Sequence, residues 1–479
     1  MKLIIKFLCP VLLFFSNSYA IKCDLTHHVN HEQRCNPRPT NDTYAPSPNN
    51  LFHIHYDTSG NDQPLQGDSN NNGVPDYVEE VGVAAEYSLD IFINQLGYSN
   101  LILDDDGVYD IYIDDRGPGS YGINYPDLTD FPDCTPLGSS WVEIDNEYEQ
   151  GEYYTTGLDA MKVTVAHELF HAIQRSYQML PANSTVFLYE LSSTWVEDIV
   201  YPDINDYLYW TDNFFDDPEK SIDDTNGYSV ALYGHYLTSE FNDNIIREIW
   251  ESFSTHNNAM NSIEYVIDNN YSSSFIETWV DFCSRNIFNG QYTNMNNGFY
   301  YYIDQIYAEP LSFDTSELLS GVNDFNIYIN DIILHDDEIK IKLFEPDANY
   351  LLTSVSISSP NILGNFVLSS NNLSNQDIVN IENNNIFVPT DQIYMILANS
   401  SGSTVADIDI SVSDCPPSSL GDPNFDCQLN VLDVLIIINI ILNGEQNFSS
   451  DVIQAADLDS SGDIGIIDIV TLINIIMDI

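Results

Sequence analysis

Ala166-His167-Glu168-Leu169-Phe170-His171-Ala172-Ile173-Gln174 is the stretch on which the reading of this 479-residue chain turns. It has the form His-Glu-x-x-His. On a helix, residues four apart lie on one face, one turn above the other. His167 and His171 can then aim their imidazoles at one point, where a zinc ion would sit. Glu168 lies beside them, placed to take a proton from an attacking water. The flanks favour a helix: Thr156 with Asp159 three residues on reads as a capping pair, and Val163, Val165, Ala166, Leu169, Phe170 and Ile173 supply apolar surface. The alternative is a chance meeting of these residues on an amphipathic helix. In a chain with ten histidines its odds are on the order of one in a hundred.

A catalytic zinc site needs a third protein ligand and leaves the fourth position to water. After eighteen intervening residues comes Glu190, opening Glu190-Leu-Ser-Ser-Thr-Trp-Val-Glu197-Asp198, which also reads as a helix, over 188–200. Seven residues make nearly two turns, so both carboxylates point about the same way, roughly 10 Å apart along the axis. Zinc–carboxylate bonds are about 2 Å long, so one ion cannot take both. Leu188, Leu191, Trp195 and Ile199 form the opposite, core-facing side.

His-Glu-x-x-His with Glu after this interval resembles the gluzincins, the zincin clan of thermolysin and aminopeptidase N. More narrowly, residues 50–300 are similar to a family of secreted bacterial metalloproteases. The matching pieces are His55-Tyr-Asp-Thr-Ser-Gly60, Asn72-Gly-Val-Pro-Asp-Tyr-Val-Glu79, Gly157-Leu-Asp-Ala160 and Trp195-Val-Glu-Asp198. The resemblance implies an α+β zincin-like domain with zinc on His167, His171 and Glu190 and with Glu168 as general base. Glu197 is then left to orient a ligand, and small Ser193 leaves room beside the metal. An edge strand above the zinc helix, pairing with extended substrate, is also implied, with residues 141–145 as the candidate. A downstream Tyr or His would stabilise the oxyanion; Tyr233 and His235 are the candidates, with packing as their other reading. In one departure, Thr194 stands where thermolysin-type enzymes carry Asp.

Residues 1–20 read as a secretory signal: Lys2 and Lys6, an apolar run over 8–15, and Ser18-Tyr19-Ala20 for cleavage. The run is too short for a membrane span. Export agrees with the cysteines. Cys9 leaves with the signal, and Cys23 with Cys35, Cys415 with Cys427 and Cys134 with Cys283 are the expected disulfides. His27, His28 and His31 fall inside the first loop. The net charge of −60 argues against nucleic-acid or anionic-membrane partners and favours divalent cations.

Asp68-Ser-Asn70-Asn-Asn72-Gly73-Val74-Pro-Asp76-Tyr-Val-Glu79 places oxygen side chains at positions 1, 3, 5, 9 and 12 of a calcium loop. Gly73 makes the sharp turn, and position 7, Val74, offers its carbonyl. A helix is expected over 78–96.

From about residue 305, strand-like pieces separated by Asn, Ser, Gly and Pro predict a β-sandwich. Residues 415–479 then repeat with a period of 35. Asp422, Asn424, Asp426, Gln428, Asn430 and Asp433 form one loop, and Asp457, Asp459, Ser461, Asp463 and Asp468 the next. Each precedes a short apolar helix. Two such loops look like a dockerin, which implies Ca2+ and a cohesin-like partner. The departures are Cys427 where Gly is wanted and Gly465 at position 9.

The expected chain is thus multidomain: signal 1–20, zincin-like α+β domain 21–304, all-β sandwich 305–414 and small α dockerin-like module 415–479. Its expected function is that of a secreted or cell-surface zinc metalloendopeptidase acting on peptides or proteins. The rival is a zincin-like, calcium-held adhesion protein that no longer catalyses.

Overall fold

A computed structural model describes residues 37–129, 136–211, 214, 221–286, 420–424 and 429–478, with the backbone of seven strands between 339 and 414. The expected signal, His27, His28 and His31, and Cys23, Cys35, Cys134, Cys415 and Cys427 lie outside the described residues. Two compact units divide the chain, 1–209 with 253–257 and 210–252 with 258–479.

The first unit is built on a mixed five-stranded sheet. Its strands are β1 (Thr43–Pro46), β2 (Phe52–Tyr56), β3 (Tyr109–Asp114), β4 (Gly122–Leu128) and β5 (Pro136–Asp145), in the order β1-β2-β3-β5-β4. β2, β3 and β5 run parallel, with β1 and β4 antiparallel at the two edges. In β2 the period of two is plain: Phe52, Ile54 and Tyr56 are buried while His53 and His55 are only half-buried. Central β3 is buried almost throughout, as a parallel strand should be.

Helices α1 (Asp76–Asp90), α2 (Gly157–Arg175) and α3 (Val186–Val200) cover this sheet. α1 packs on β2, α2 on β4 and β5, and α3 on α2. From Ala160 to Arg175 every residue of α2 but Lys162 is buried. The helix that carries His167 and His171 is therefore a central helix, not the two-faced surface helix its apolar pattern suggests. Thr156 holds the N-cap position but makes no side-chain cap bond. The helix instead starts at Gly157, whose φ of 64° is open to glycine, and whose N–H donates to the Tyr148 carbonyl at 3.0 Å.

The expected edge strand needs correcting. Residues 141–145 belong to β5, which is bonded to β3 on one side and β4 on the other. The edge is β4. It precedes β5 in the chain but lies outside it in the sheet, an order that alternation alone does not reveal.

In the second unit, α4 (Ala231–Glu240), α6 (Ala259–Asn270) and α7 (Phe275–Asn286) are helical, as is α5 (Ile245–His256), whose last turn belongs to the first unit. Tyr233, Phe275, Trp279 and Phe282 build an aromatic core, with Tyr233 and Trp279 ring centres 4.9 Å apart and edge-to-face. Cys283 is a buried free thiol here, with its pKa pushed well up by burial. That corrects the expected bond to Cys134: the residue is packed as a small apolar side chain.

Seven antiparallel strands form two sheets. One is β10 (Ile386–Phe387), β7 (Tyr350–Ile357) and β12 (Ile408–Asp414). The other is β6 (Ile339–Phe344), β11 (Gln392–Asn399), β8 (Ile362–Ser369) and β9 (Gln376–Asn380). At the C-terminus α8 (Val431–Asn443), α9 (Ser450–Ala456) and α10 (Ile466–Asp478) close on Val434, Ile437, Ile440, Leu458 and Leu472. Among the described residues no helix is long and apolar enough to cross a membrane.

Candidate metal centre

α2 carries His167 and His171 one turn apart, and α3 lays Glu190 against both. The Glu190 Oε2 atom is 3.0 Å from His167 Nε2 and 3.4 Å from His171 Nε2. All three ligand atoms lie within 4.8 Å of one another, and all three residues are buried. Ligands bonded to zinc at about 2 Å with tetrahedral angles stand roughly 3.3 Å apart, close to the 3.0 and 3.4 Å that separate Glu190 from the two imidazoles. His171 Nε2 is buried and makes no hydrogen bond. Burial also pushes the His171 pKa down to about 3, an effect only partly opposed by Gln174, so the ring is held neutral with a lone pair to give. A donor set of two imidazoles and one carboxylate fits zinc.

The other ring nitrogens are fixed from behind. His167 Nδ1 is 2.6 Å from Glu197 Oε1, and His171 Nδ1 is 2.7 Å from Gln174 Oε1 and 3.1 Å from Ser193 Oγ. Anchoring Nδ1 selects the tautomer that leaves Nε2 free for a metal. Gln174 is held in turn, donating to the Tyr189 carbonyl at 2.9 Å and to the Ser193 hydroxyl at 3.0 Å. Glu190 and Glu197 thus bracket one imidazole, as their spacing on α3 requires. Thr194 makes no side-chain hydrogen bond, and Glu197 holds the ring in place of an acid there. The sequence reading missed Gln174; an amide three residues after a candidate ligand was the available signal.

The edge strand comes down onto the general-base candidate. A β-carbon at Gly122 would lie 2.7 Å from Thr164 Cγ2 and 2.9 Å from Glu168 Cγ. Asn124, also on β4, donates to the Glu168 carbonyl at 3.2 Å and accepts from Arg175. β4 and α2 are therefore locked together at Glu168.

Tyr233 and His235 belong to the second unit, so their catalytic assignment rests on the resemblance alone. The Tyr233 hydroxyl is 2.7 Å from Thr278 Oγ1 inside the aromatic core, and burial raises its pKa. His235 is buried with its pKa pushed down to about 4.

The calcium-loop candidates share one geometry. In the loop at 68–79, the Asp68 carboxylate accepts the N–H groups of Asn72 and Gly73 at 3.1 and 3.0 Å. At 457–468, the Asp457 carboxylate accepts those of Ser461 and Gly462, both at 2.9 Å. Positions 4 and 6 take positive φ in each: Asn71 58° and Gly73 88°, Ser460 56° and Gly462 83°. Glu79 faces the side chains of Asn70 and Asn72 at 2.8 and 2.7 Å, which brings positions 3, 5 and 12 together. The Val74 N–H donates to Asn72 Oδ1. Asp76 is turned to the Ser69 hydroxyl, 2.6 Å away, and starts α1 two residues before the expected helix. In the last loop the ligand atoms of Asp457, Asp459 and Asp468 lie within 4.8 Å, with the Ser461 hydroxyl on the Asp463 carbonyl. In the loop before it, Asp422 and Asp433 are buried, Asn424 is half-buried and Asn430 caps α8. Asp426 and Gln428 lie outside the described residues.

Residues 420–477 match the dockerin type I domain, so the C-terminus is a dockerin module, a calcium-binding module that docks on cohesins. Comparison with curated proteins found no match for the chain.

These loops carry a stability prediction. Calcium that binds only the folded state adds RT ln(1 + [L]/Kd), about 2.7 kcal/mol at a hundredfold excess over Kd. At roughly 2–4 °C per kcal/mol for units of this size, a calcium-selective chelator should lower Tm by about 5–10 °C. A Tm unmoved by the chelator in differential scanning calorimetry rules out structural calcium.

Proposed function

We propose that the chain is an exported zinc metallopeptidase that hydrolyses peptide bonds and is carried to its place by a dockerin module. The observation that carries this reading is the convergence of His167 Nε2, His171 Nε2 and Glu190 Oε2 within 4.8 Å of one another, in buried positions with Nδ1 of both rings already engaged. Zinc bound there would polarise the scissile carbonyl and acidify water. Glu168, buried next to its ligand neighbour on α2, takes the proton from the attacking water and passes it to the leaving amine. β4, the outer strand of the sheet among the described residues, offers an extended substrate strand an edge to pair with.

The dockerin and the apolar residues left exposed on its helices, among them Val431, Leu432, Leu442, Ile466, Ile467 and Met477, suit docking to a cohesin-like partner outside the cell. The test of the peptidase reading is zinc analysis together with cleavage of a mixed peptide library. A chain that binds zinc stoichiometrically and cleaves no peptide is the calcium-held adhesion protein instead.

Gly122→Ala probes the contact between strand and base. The added methyl must displace Glu168 or lift β4, which costs about 1–3 kcal/mol as overpacking. Misplacing a reacting group by about 1 Å costs on the order of 100-fold in rate. Hydrolysis should fall by that order while zinc content stays at the wild-type value; unchanged turnover would show that β4 does not set the position of Glu168.

A further inference from the structure

On the face of the sheet turned away from α1, a second cluster of metal-ligating side chains stands apart from the zinc candidate. His53 and His55 are two apart on β2 and so share that face, and Asp110 is the register partner of His53 on β3. Asp110 Oδ1 is 2.7 Å from His55 Nε2 and 3.8 Å from His53 Nδ1, and the three ligand atoms lie within 4.8 Å of one another. These separations straddle the roughly 3.3 Å that tetrahedral zinc ligands show, so shifts of about half an ångström bring Asp110 to metal-sharing distance from both rings. We propose that His53, His55 and Asp110 form a second divalent transition-metal site, which staples β2 to β3.

The surroundings are built for it. The ring of Tyr112 stacks on His55 at 4.4 Å and 13°, and Tyr44 of β1 lies 4.4 Å from the His53 ring and 5.5 Å from that of His55. Both imidazoles are therefore held in their planes. Asp110 is buried, and its other oxygen is taken by Arg38, which also pairs with Asp104 and Asp127. Asp106 Oδ2, 4.0 Å from His53 Nδ1, is near enough to supply a fourth ligand. The four carboxylates of Asp104, Asp106, Asp110 and Asp127 stand against the single guanidinium of Arg38, a formal balance of −3 beside the two imidazoles. A dication offsets most of that, and imidazole with carboxylate suits zinc and its neighbours rather than calcium. On binding, the metal takes the place of the proton between His55 Nε2 and Asp110 Oδ1, and that proton goes to solvent.

The site is independent of the peptidase reading. The test is a zinc titration of the full mature chain, stripped of metal and resupplied with calcium, followed by calorimetry. The His53→Gln, His55→Gln double variant should bind one zinc fewer than wild type, and His55→Gln alone should weaken that site at least tenfold. Glu190→Ala should keep it. Wild-type stoichiometry and affinity in the folded double variant would overturn the proposal, as would a loss of zinc in Glu190→Ala with no site remaining.

Discussion

Glu168→Gln leaves zinc bound and removes hydrolysis. The substitution keeps the shape and burial of the side chain but replaces a base by an amide that cannot accept a proton. His167, His171 and Glu190 are untouched, so metal content should equal wild type. A general base contributes about 10²–10⁴-fold, and this one also orients the water, so the upper end is expected. The measurement is turnover of a peptide found in the library, alongside zinc analysis of the same preparation. Wild-type turnover would remove Glu168 from the mechanism. Loss of zinc would make it a ligand. Neither outcome is compatible with a base placed beside a three-residue metal site.

Such a test can be written from the sequence because helical spacing is a local property. His167 and His171 had to share a face once α2 was a helix, and Glu190 and Glu197 had to share one on α3. The loops were legible for a similar reason: Asp68 and Asp457 gather N–H groups four and five residues on, within one turn of chain. What could not be read is set by distant pairing. β4 lies outside β5 because of sheet order, which alternation does not encode, so alternation points to β5 where the edge is β4. The burial of α2 on all sides depends on how α1, α3 and the sheet close around it. An even cysteine count pairs Cys283 with Cys134, whereas its burial as a free thiol is a tertiary fact. The His53–His55–Asp110 cluster was hidden likewise: two residues of it are neighbours on β2, and the third arrives only through the β2–β3 register.

Glu190→Ala and Glu197→Ala should separate a metal ligand from the residue that orients one. Removing Glu190 leaves two imidazoles and takes away the oxygen that lies 3.0 and 3.4 Å from them. Zinc should then be lost from this site on dialysis and activity with it. Glu197 meets His167 on the ring's far side, at Nδ1. Its removal frees the ring to adopt the other tautomer and to turn, for which the expected cost is about 10–100-fold in zinc affinity or activity. Because the carboxylate is buried with its imidazole, Ala also leaves a cavity and a buried nitrogen without its partner, costing about 1–3 kcal/mol of stability. Glu197→Gln distinguishes the two effects. Its amide oxygen can still accept from Nδ1, so it should recover most of the affinity that Ala loses, while Glu190→Gln should not rescue Glu190→Ala to the same extent. Zinc measured by competition with a chelator of known Kd gives each number, and circular dichroism establishes that each variant is folded. If Glu197→Ala loses zinc while Glu190→Ala keeps both zinc and activity, the roles of the two glutamates are reversed, and the metal sits on the Nδ1 side of His167.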